Sequence, residues 1–415
     1  MDRRDFLRVA GLASASFVTE SWPSRAYAAR REAPRYVVLV LLSGGHDAVY
    51  TTDPKTKSEL APGLDFTSAE SIVEKGGLRI GPHLAGIADY ASRISFLNGV
   101  QVATANHDTG ITQYARLKTN ASPRMPSILD LIGADRDGQP VPAVYLGTSH
   151  RSLYTPSFFG GTDQIYFAGN DLLEVGDTTT PEEQRVMAKA LGEHARSEKA
   201  RGLSSSAKGT VRHLAEAAAW FERLSGTPAF TKTQHSDDYA TQALGEDLDR
   251  TAWLIEHDLT PCVFVEAAPL SWDTHVNNTP RQAHITQLFV RHFTRLLDTL
   301  RAKKNRHGPL LDNTLFLVGS DLGRFPKLND MLGKDHLPQT SFLTIGRGVG
   351  GGRVFGATGQ QMEGLPITLS TGRHPKKGGT VPVLDDIGAS LLHLAGLEPE
   401  RFGYNGRRLS FLFDA

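Results

Sequence analysis

The fold is decided by the stretch Tyr36–Leu42, which reads YVVLVLL and stops at Ser43-Gly44-Gly45. A continuous apolar run that is rich in valine and ends at glycine is typical of a strand buried on both faces of a parallel sheet. In such sheets, ligands bind beyond the carboxyl ends of the strands. We therefore expect the residues that follow Leu42 to lie at a functional site.

Similar apolar runs recur along the chain and are separated by helical patterns. The further expected strands are 94–100, 141–146, 262–267, 314–318 and 341–345. This alternation predicts an α/β fold with a doubly wound, mostly parallel sheet flanked by helices.

A capping box with proline at the first helical position, Thr180-Pro181-Glu182-Glu183, predicts a helix that runs to about Ala200. The segments 204–224 and 236–257 are also expected to be helical, and 280–303 has a clear amphipathic pattern. We interpret residues 178–257 as a helical insertion within one domain that covers residues 29–415.

Residues 1–28 resemble a bacterial export signal. Arg3-Arg4-Asp5-Phe6-Leu7 gives an RRxFL motif, an uncharged run follows, and Ala26-Tyr27-Ala28 fits a signal peptidase site. This resemblance implies that the twin-arginine translocase exports the folded chain to the periplasm or beyond. The uncharged run is too short to span a bilayer, so we expect no stable membrane span after cleavage.

Composition excludes several classes of protein. The chain has 45 Lys+Arg and 45 Asp+Glu, so it lacks the excess of basic residues that would indicate a nucleic-acid partner. With 40% hydrophobic and 22% charged residues, it has the composition of a globular protein. A single cysteine, Cys262, lies in an apolar run and predicts a buried thiol without an intrachain disulfide.

Four short segments that each end or follow an expected strand hold acids or histidines. They are Gly44–Asp47, Ser271–His275, Ser320–Arg324 and Lys334–His336. Because the carboxyl ends of parallel strands share one edge of a sheet, these side chains are expected to converge. Carboxylates together with imidazoles suit zinc or another divalent metal, although a single Asp beside a His is more often a loop cap or a surface pair.

The order of these segments resembles that of a known superfamily. Phe293–Asp321 is similar to a helix followed by a "DNTL" strand and a metal-binding Asp. Val263–Glu266 followed by Asp273-Thr274-His275 is similar to the phosphatase strand that supplies a Glu and then an Asp and a His. The chain thus resembles the alkaline phosphatase and sulfatase superfamily and, within it, the secreted branch known as the domain-of-unknown-function 1501 family.

This resemblance implies a site for two divalent ions, with zinc as the first choice and manganese, magnesium or calcium as alternatives. The implied ligands are Asp47, Asp273, His275, Asp321 and His336. Two departures from the pattern matter. First, Leu322 stands where the superfamily often has a histidine, so Asp335 or His107 is the candidate replacement. Second, the position at which the superfamily commonly has an Asp is occupied here by Ser271, and Asp273 lies two positions later.

The resemblance places the nucleophile after the strand that ends near Val100, where Asn106-His107-Asp108-Thr109-Gly110 occurs. Thr109 follows an acid, as the nucleophilic serine of phosphatases does, but its hydroxyl needs a metal or a base to become reactive. The alternative is that Thr109 caps a helix beginning near Ile111 and that His107 is a ligand or a buried core histidine.

The sulfatase motif C/S-x-P-x-R occurs only at Ser21–Arg25, inside the expected signal peptide. We therefore expect an exported, metal-dependent hydrolase that acts on a small anionic ester, phosphoric rather than sulfuric. The rival hypothesis is an exported, non-catalytic protein that keeps the fold as a metal-binding or structural module.

Overall fold

The computed structural model describes residues 33–123, 125–136, 139, 141–147, 176–200, 205–267 and 270–413. The expected signal peptide lies outside these residues. Within the described part of the chain, no helix combines the length and the apolar character that a membrane span requires.

Thirteen strands are present among the described residues. They are β1 (Tyr36–Leu41), β2 (Val73–Lys75), β3 (Leu78–Ile80), β4 (Ile94–Gln101), β5 (Val144–Leu146), β6 (Cys262–Glu266), β7 (Lys304–Asn305), β8 (Gly308–Pro309), β9 (Thr314–Gly319), β10 (Gly323–Leu328), β11 (Lys334–Leu337), β12 (Gln339–Gly346) and β13 (Arg353–Gly356). Seven of them form a central sheet in the order β13-β4-β12-β9-β1-β6-β5. All seven run parallel except β12, which is antiparallel to both of its neighbours.

The helices cover both faces of this sheet. They are α1 (His107–Arg116), α2 (Ile128–Ala134), α3 (Pro181–Ala200), α4 (Ser205–Ser225), α5 (Tyr239–Glu256), α6 (Asn278–Ala302), α7 (Leu310–Asn313), α8 (Leu384–Leu394) and α9 (Ser410–Phe413). A 3-10 helix, Pro82–Arg93, precedes β4.

Strand β1 shows why both faces are covered. All six of its residues are buried, and successive side chains of a strand point to opposite faces. Val38 and Val40 belong to the core that contains residues of α3 to α6, whereas Val37 and Leu39 belong to the core that contains residues of α1, α2 and α8. The expected α/β fold with a mostly parallel sheet flanked by helices is therefore confirmed.

The expected elements agree closely with those observed. Each expected strand is present within three residues of its predicted ends, and α3, α4 and α5 occupy the expected insertion between β5 and β6. The division into a signal peptide and one domain stays a prediction. The sequence analysis missed the hairpin formed by β10 and β11, which carries part of the site.

Candidate metal centre

Three neighbouring strands, β9, β1 and β6, bring their following loops to one edge of the sheet. Gly44 follows β1, Asp273 follows β6, and Asp321 follows β9. The Gly44 N–H donates a 2.8 Å hydrogen bond to Asp321 Oδ1, which ties the first loop to the third. The hairpin β10–β11 lies beside them and contributes Arg324 and His336.

Gly44 is required by the close approach of two of these loops. Its φ is +108°, a conformation that residues with a side chain rarely adopt. A Cβ atom at this position would lie 2.4 Å from the backbone nitrogen of Asp273. Any larger residue would therefore displace the loop that carries Asp273.

Three imidazoles surround the carboxylate of Asp273. The distances from Asp273 Oδ1 to the Nε2 atoms of His107, His275 and His336 are 3.4, 3.1 and 3.5 Å. His275 Nε2 also lies 2.9 Å from His336 Nε2. We call His107, Asp273, His275 and His336 the metal cluster.

The other ring nitrogen of each histidine faces an acceptor. His107 Nδ1 lies 2.6 Å from Asp321 Oδ2, His336 Nδ1 lies 2.7 Å from the Ala105 carbonyl oxygen, and His275 Nδ1 lies 3.3 Å from Asp335 Oδ1. A carbonyl or carboxylate on Nδ1 fixes the tautomer in which Nδ1 carries the proton and Nε2 offers a lone pair. Three lone pairs are thereby directed toward Asp273.

These donors fit a divalent cation. Ligand atoms of a tetrahedral zinc ion with bonds of about 2.0–2.1 Å lie about 3.3–3.4 Å apart, close to the separations from Asp273 Oδ1. Without a cation or an extra proton, the Nε2 lone pairs of His275 and His336 face each other. The Nε2 atom of His107 is buried and makes no hydrogen bond, which is the kind of orphaned polar atom that a ligand satisfies.

The electrostatics keep Asp273 available as an anionic ligand. Burial raises the pKa of its carboxyl, but the hydrogen bond and charge of Arg324 outweigh burial and lower that pKa to about 2. The hydrogen bond to Asp321 raises the pKa of His107 against the opposing effect of burial. Arg324 is itself buried and donates to the carbonyl oxygens of Gly44, Gly45 and Lys334, so it is held in place from several sides.

The structure brings most of the expected ligands together. Asp273, His275, His336 and the candidate replacement His107 form the metal cluster, and His107, Asp273 and His336 offer ligand atoms within 4.8 Å of one another. Asp321 is the hydrogen-bond partner of His107, and Asp335 is the hydrogen-bond partner of His275.

Asp47 is not part of the metal cluster. Its carboxylate pairs with Lys334 Nζ at 2.6 Å and accepts a 2.7 Å hydrogen bond from Asn278. Its assignment as a ligand stays a prediction. The sequence analysis missed Lys334, although a lysine two residues before a candidate ligand on the same strand lies on the same face and could have been noticed.

Thr109 occupies the first turn of α1 and is exposed. The helix begins at His107 rather than near Ile111, and its N-cap is Asn106, whose side chain accepts from the Thr109 N–H at 3.1 Å. The alternative that Thr109 is the cap is therefore wrong. Its role as a nucleophile is left open by this geometry.

The fold and the site define an α/β protein with a candidate divalent metal centre at the carboxyl edge of its sheet. The chain belongs to the family described as "Protein of unknown function (DUF1501)", whose model matches residues 34–411. No curated protein matches the sequence at a significant level.

Solved structures of the alkaline phosphatase superfamily are similar to this chain. A superfamily protein from Vibrio parahaemolyticus is 12% identical with a TM-score of 0.39, over 99% of this chain and 79% of that one. The lipoteichoic acid synthase LtaP from Listeria monocytogenes is 9% identical with a TM-score of 0.41, over 98% and 80%. A mutant of TAB5 alkaline phosphatase with bound magnesium is 10% identical with a TM-score of 0.39, over 89% and 99%. Similarity this distant does not transfer residue roles or activities to this chain.

Proposed function

We propose that the protein is an exported, metal-dependent hydrolase of phosphoric esters, with sulfuric esters as less favoured substrates. The observation that carries this proposal is the convergence of three imidazole Nε2 atoms on Asp273 Oδ1. Export rests on the signal sequence in residues 1–28 and would involve the twin-arginine translocase, which fits a metal centre that is assembled before transport.

The residues of the metal cluster would hold the cation. When bound, a divalent ion polarises an ester oxygen and lowers the pKa of a bound water. Asp321, Asp335 and the Ala105 carbonyl orient the three imidazoles, and Arg324 keeps Asp273 ionised. Zinc is our first choice, with manganese, magnesium or calcium as alternatives, because imidazole and carboxylate ligands together suit several of these ions.

The site is open to a small substrate. The side chains of His275 and Asp335 are 40% and 70% exposed, so the cluster is reached from their side. Thr109 lies two residues after His107 in the first turn of α1, where the helix dipole favours an anion. We assign Thr109 as the candidate nucleophile, with water as its rival.

One observation favours the non-catalytic rival. His107, Asp273 and His336 offer three ligand atoms within 4.8 Å of one another, and His275 as a fourth donor would close a tetrahedral zinc shell, which is typical of structural rather than catalytic sites. A protein with that coordination would bind zinc tightly without turnover. An ion that accepts more than four ligands would leave positions open for a substrate.

The deciding experiment measures metal content and ester hydrolysis together. The purified full chain is analysed by mass spectrometry of its metals and assayed on p-nitrophenyl phosphate, bis-p-nitrophenyl phosphate and p-nitrophenyl sulfate. We expect His275→Ala and His336→Ala to lose bound metal and hydrolysis, whereas His284→Ala, on the exposed face of α6, changes neither.

Bound metal without hydrolysis of any ester would support the non-catalytic rival. Hydrolysis that survives both substitutions in the metal cluster would overturn the proposed site.

A further inference from the structure

A second polar cluster lies close to the metal cluster and has no need of an ion. We call Asp47, Asp65 and Lys334, with Tyr50 and Asn278, the lysine cluster. Lys334 Nζ lies 2.6 Å from Asp47 Oδ2 and 2.9 Å from Asp65 Oδ2. The side chains of Asp47 and Lys334 are fully buried.

The carboxylates of the lysine cluster are fully satisfied by protein groups. Asp47 accepts from the Val49 N–H and from Asn278 in addition to Lys334. The Tyr50 hydroxyl lies 3.0 Å from each oxygen of Asp65. The Lys334 ammonium also lies 4.9 Å from the centre of the Tyr50 ring, a cation–π contact.

The carboxylate oxygens of Asp321 also have protein partners. Its Oδ1 accepts from the Gly44 N–H, and its Oδ2 faces His107 Nδ1. Of the implied ligands outside the metal cluster, Asp47 is paired with an ammonium and Asp321 is a hydrogen-bond partner of His107.

A second divalent ion beside Asp47 would lie against two cations that are already in place. Arg324 Nη2 pairs with Asp273 Oδ1 at 2.5 Å, and Lys334 Nζ pairs with Asp47 Oδ2 at 2.6 Å. Repulsion between a divalent cation and these buried positive charges disfavours a second ion there.

We infer that the protein binds one divalent cation per chain, and that the buried Lys334 ammonium takes the space beside Asp47 that a second ion would need, although the resemblance implies that Asp47 is a metal ligand. This inference rests on the metal centre of the proposed function, but it does not depend on hydrolysis. Lys334 is thus a positioning residue. Its ammonium holds the Asp47 and Asp65 carboxylates in place and, unlike a bound ion, cannot exchange with ions in solution.

The stoichiometry of the full chain tests the inference. After removal of metal with EDTA and titration with Zn²⁺ or Mn²⁺ in a calorimeter, we expect one ion per chain. Asp47→Asn should leave this number at one, and His336→Ala should lower it to near zero. Two ions per chain, or a loss of one ion in folded Asp47→Asn, would overturn the inference even if hydrolysis is observed.

Removal of the ammonium should create a second site. Lys334→Ala leaves the Asp47 and Asp65 carboxylates facing a vacated space, so we expect Ca²⁺ or Mn²⁺ to raise its melting temperature and its stoichiometry to rise to two. The double variant Asp47→Asn/Lys334→Ala should lose this gain, and Lys327→Ala, at an exposed position of β10, should not show it.

A folded Lys334→Ala that still binds one ion would contradict the role of Lys334. If that variant does not fold, the wild-type and Asp47→Asn stoichiometries still decide the question. One bound ion without hydrolysis would refute the proposed function and leave this inference standing.

Discussion

The metal cluster and the lysine cluster differ in how their polar atoms are satisfied, although both hold carboxylates that follow strands of one sheet. In the lysine cluster, an ammonium, an amide and a phenol satisfy Asp47 and Asp65. In the metal cluster, two imidazole Nε2 atoms lie 2.9 Å apart and a third is buried without a hydrogen bond. Ligand atoms that face one another, rather than acids that merely follow strands, mark the site that needs a cation.

The largest effect is expected in the lysine cluster. Lys334→Met leaves the buried Asp47 carboxylate and the partly buried Asp65 carboxylate without their counter-ion, and breaking a buried ion pair in this way costs about 3–5 kcal/mol. We expect the free energy of unfolding, measured by urea denaturation in EDTA, to fall by about that amount. Lys327→Met should change it by less than about 0.5 kcal/mol. Equal stabilities of the two variants would show that the Lys334 ion pairs are dispensable for folding.

A smaller effect, on metal affinity, is expected from the carboxylates that hydrogen-bond to histidines of the metal cluster. Asp321→Asn weakens the hydrogen bond that orients His107, and loss of such an outer partner typically costs about 10–100-fold in metal affinity. Asp335, which is 70% exposed and 3.3 Å from His275, should matter less, so Asp335→Asn is expected to cost less than about tenfold. Competition titrations with Zn²⁺ measure the metal affinity of both variants. A larger loss in Asp335→Asn would reverse the assignment of the two carboxylates.

The fold could be predicted because its strands are continuous apolar runs. Every residue of β1 is buried, and a run of that kind admits few alternatives. The hairpin β10–β11 was missed because neither strand is a continuous apolar run, and because β10 contains Pro326, which weakens a strand assignment. Yet this hairpin supplies Arg324, Lys334 and His336 to the two clusters.

The candidate site could be predicted only in part. Residues that follow parallel strands share an edge of the sheet, so the expected meeting of Asp273 and His275 with Asp321 needed only the strand order, whereas His336 reaches them from β11 of the missed hairpin. The partner of Asp47 could not be found in this way, because Lys334 is 287 residues distant along the chain and reaches Asp47 through the missed hairpin. Sequence pattern places acids at an edge, whereas the choice between ion pair and ligand depends on three-dimensional neighbours.

The smallest effect on stability and metal binding is expected at Thr109. Its side chain is exposed in the first turn of α1, and its backbone N–H, not its hydroxyl, makes the capping hydrogen bond to Asn106. Thr109→Ala should therefore change the free energy of unfolding by less than about 0.5 kcal/mol and leave the metal content unaltered. If Thr109 is the nucleophile, the same variant loses ester hydrolysis, and Thr109→Ser, which keeps a hydroxyl, retains a measurable part of it. Metal content and kcat measured on one preparation separate these effects. Full turnover in Thr109→Ala would assign the nucleophile to water and remove the covalent mechanism, while the metal cluster would remain the site of the reaction.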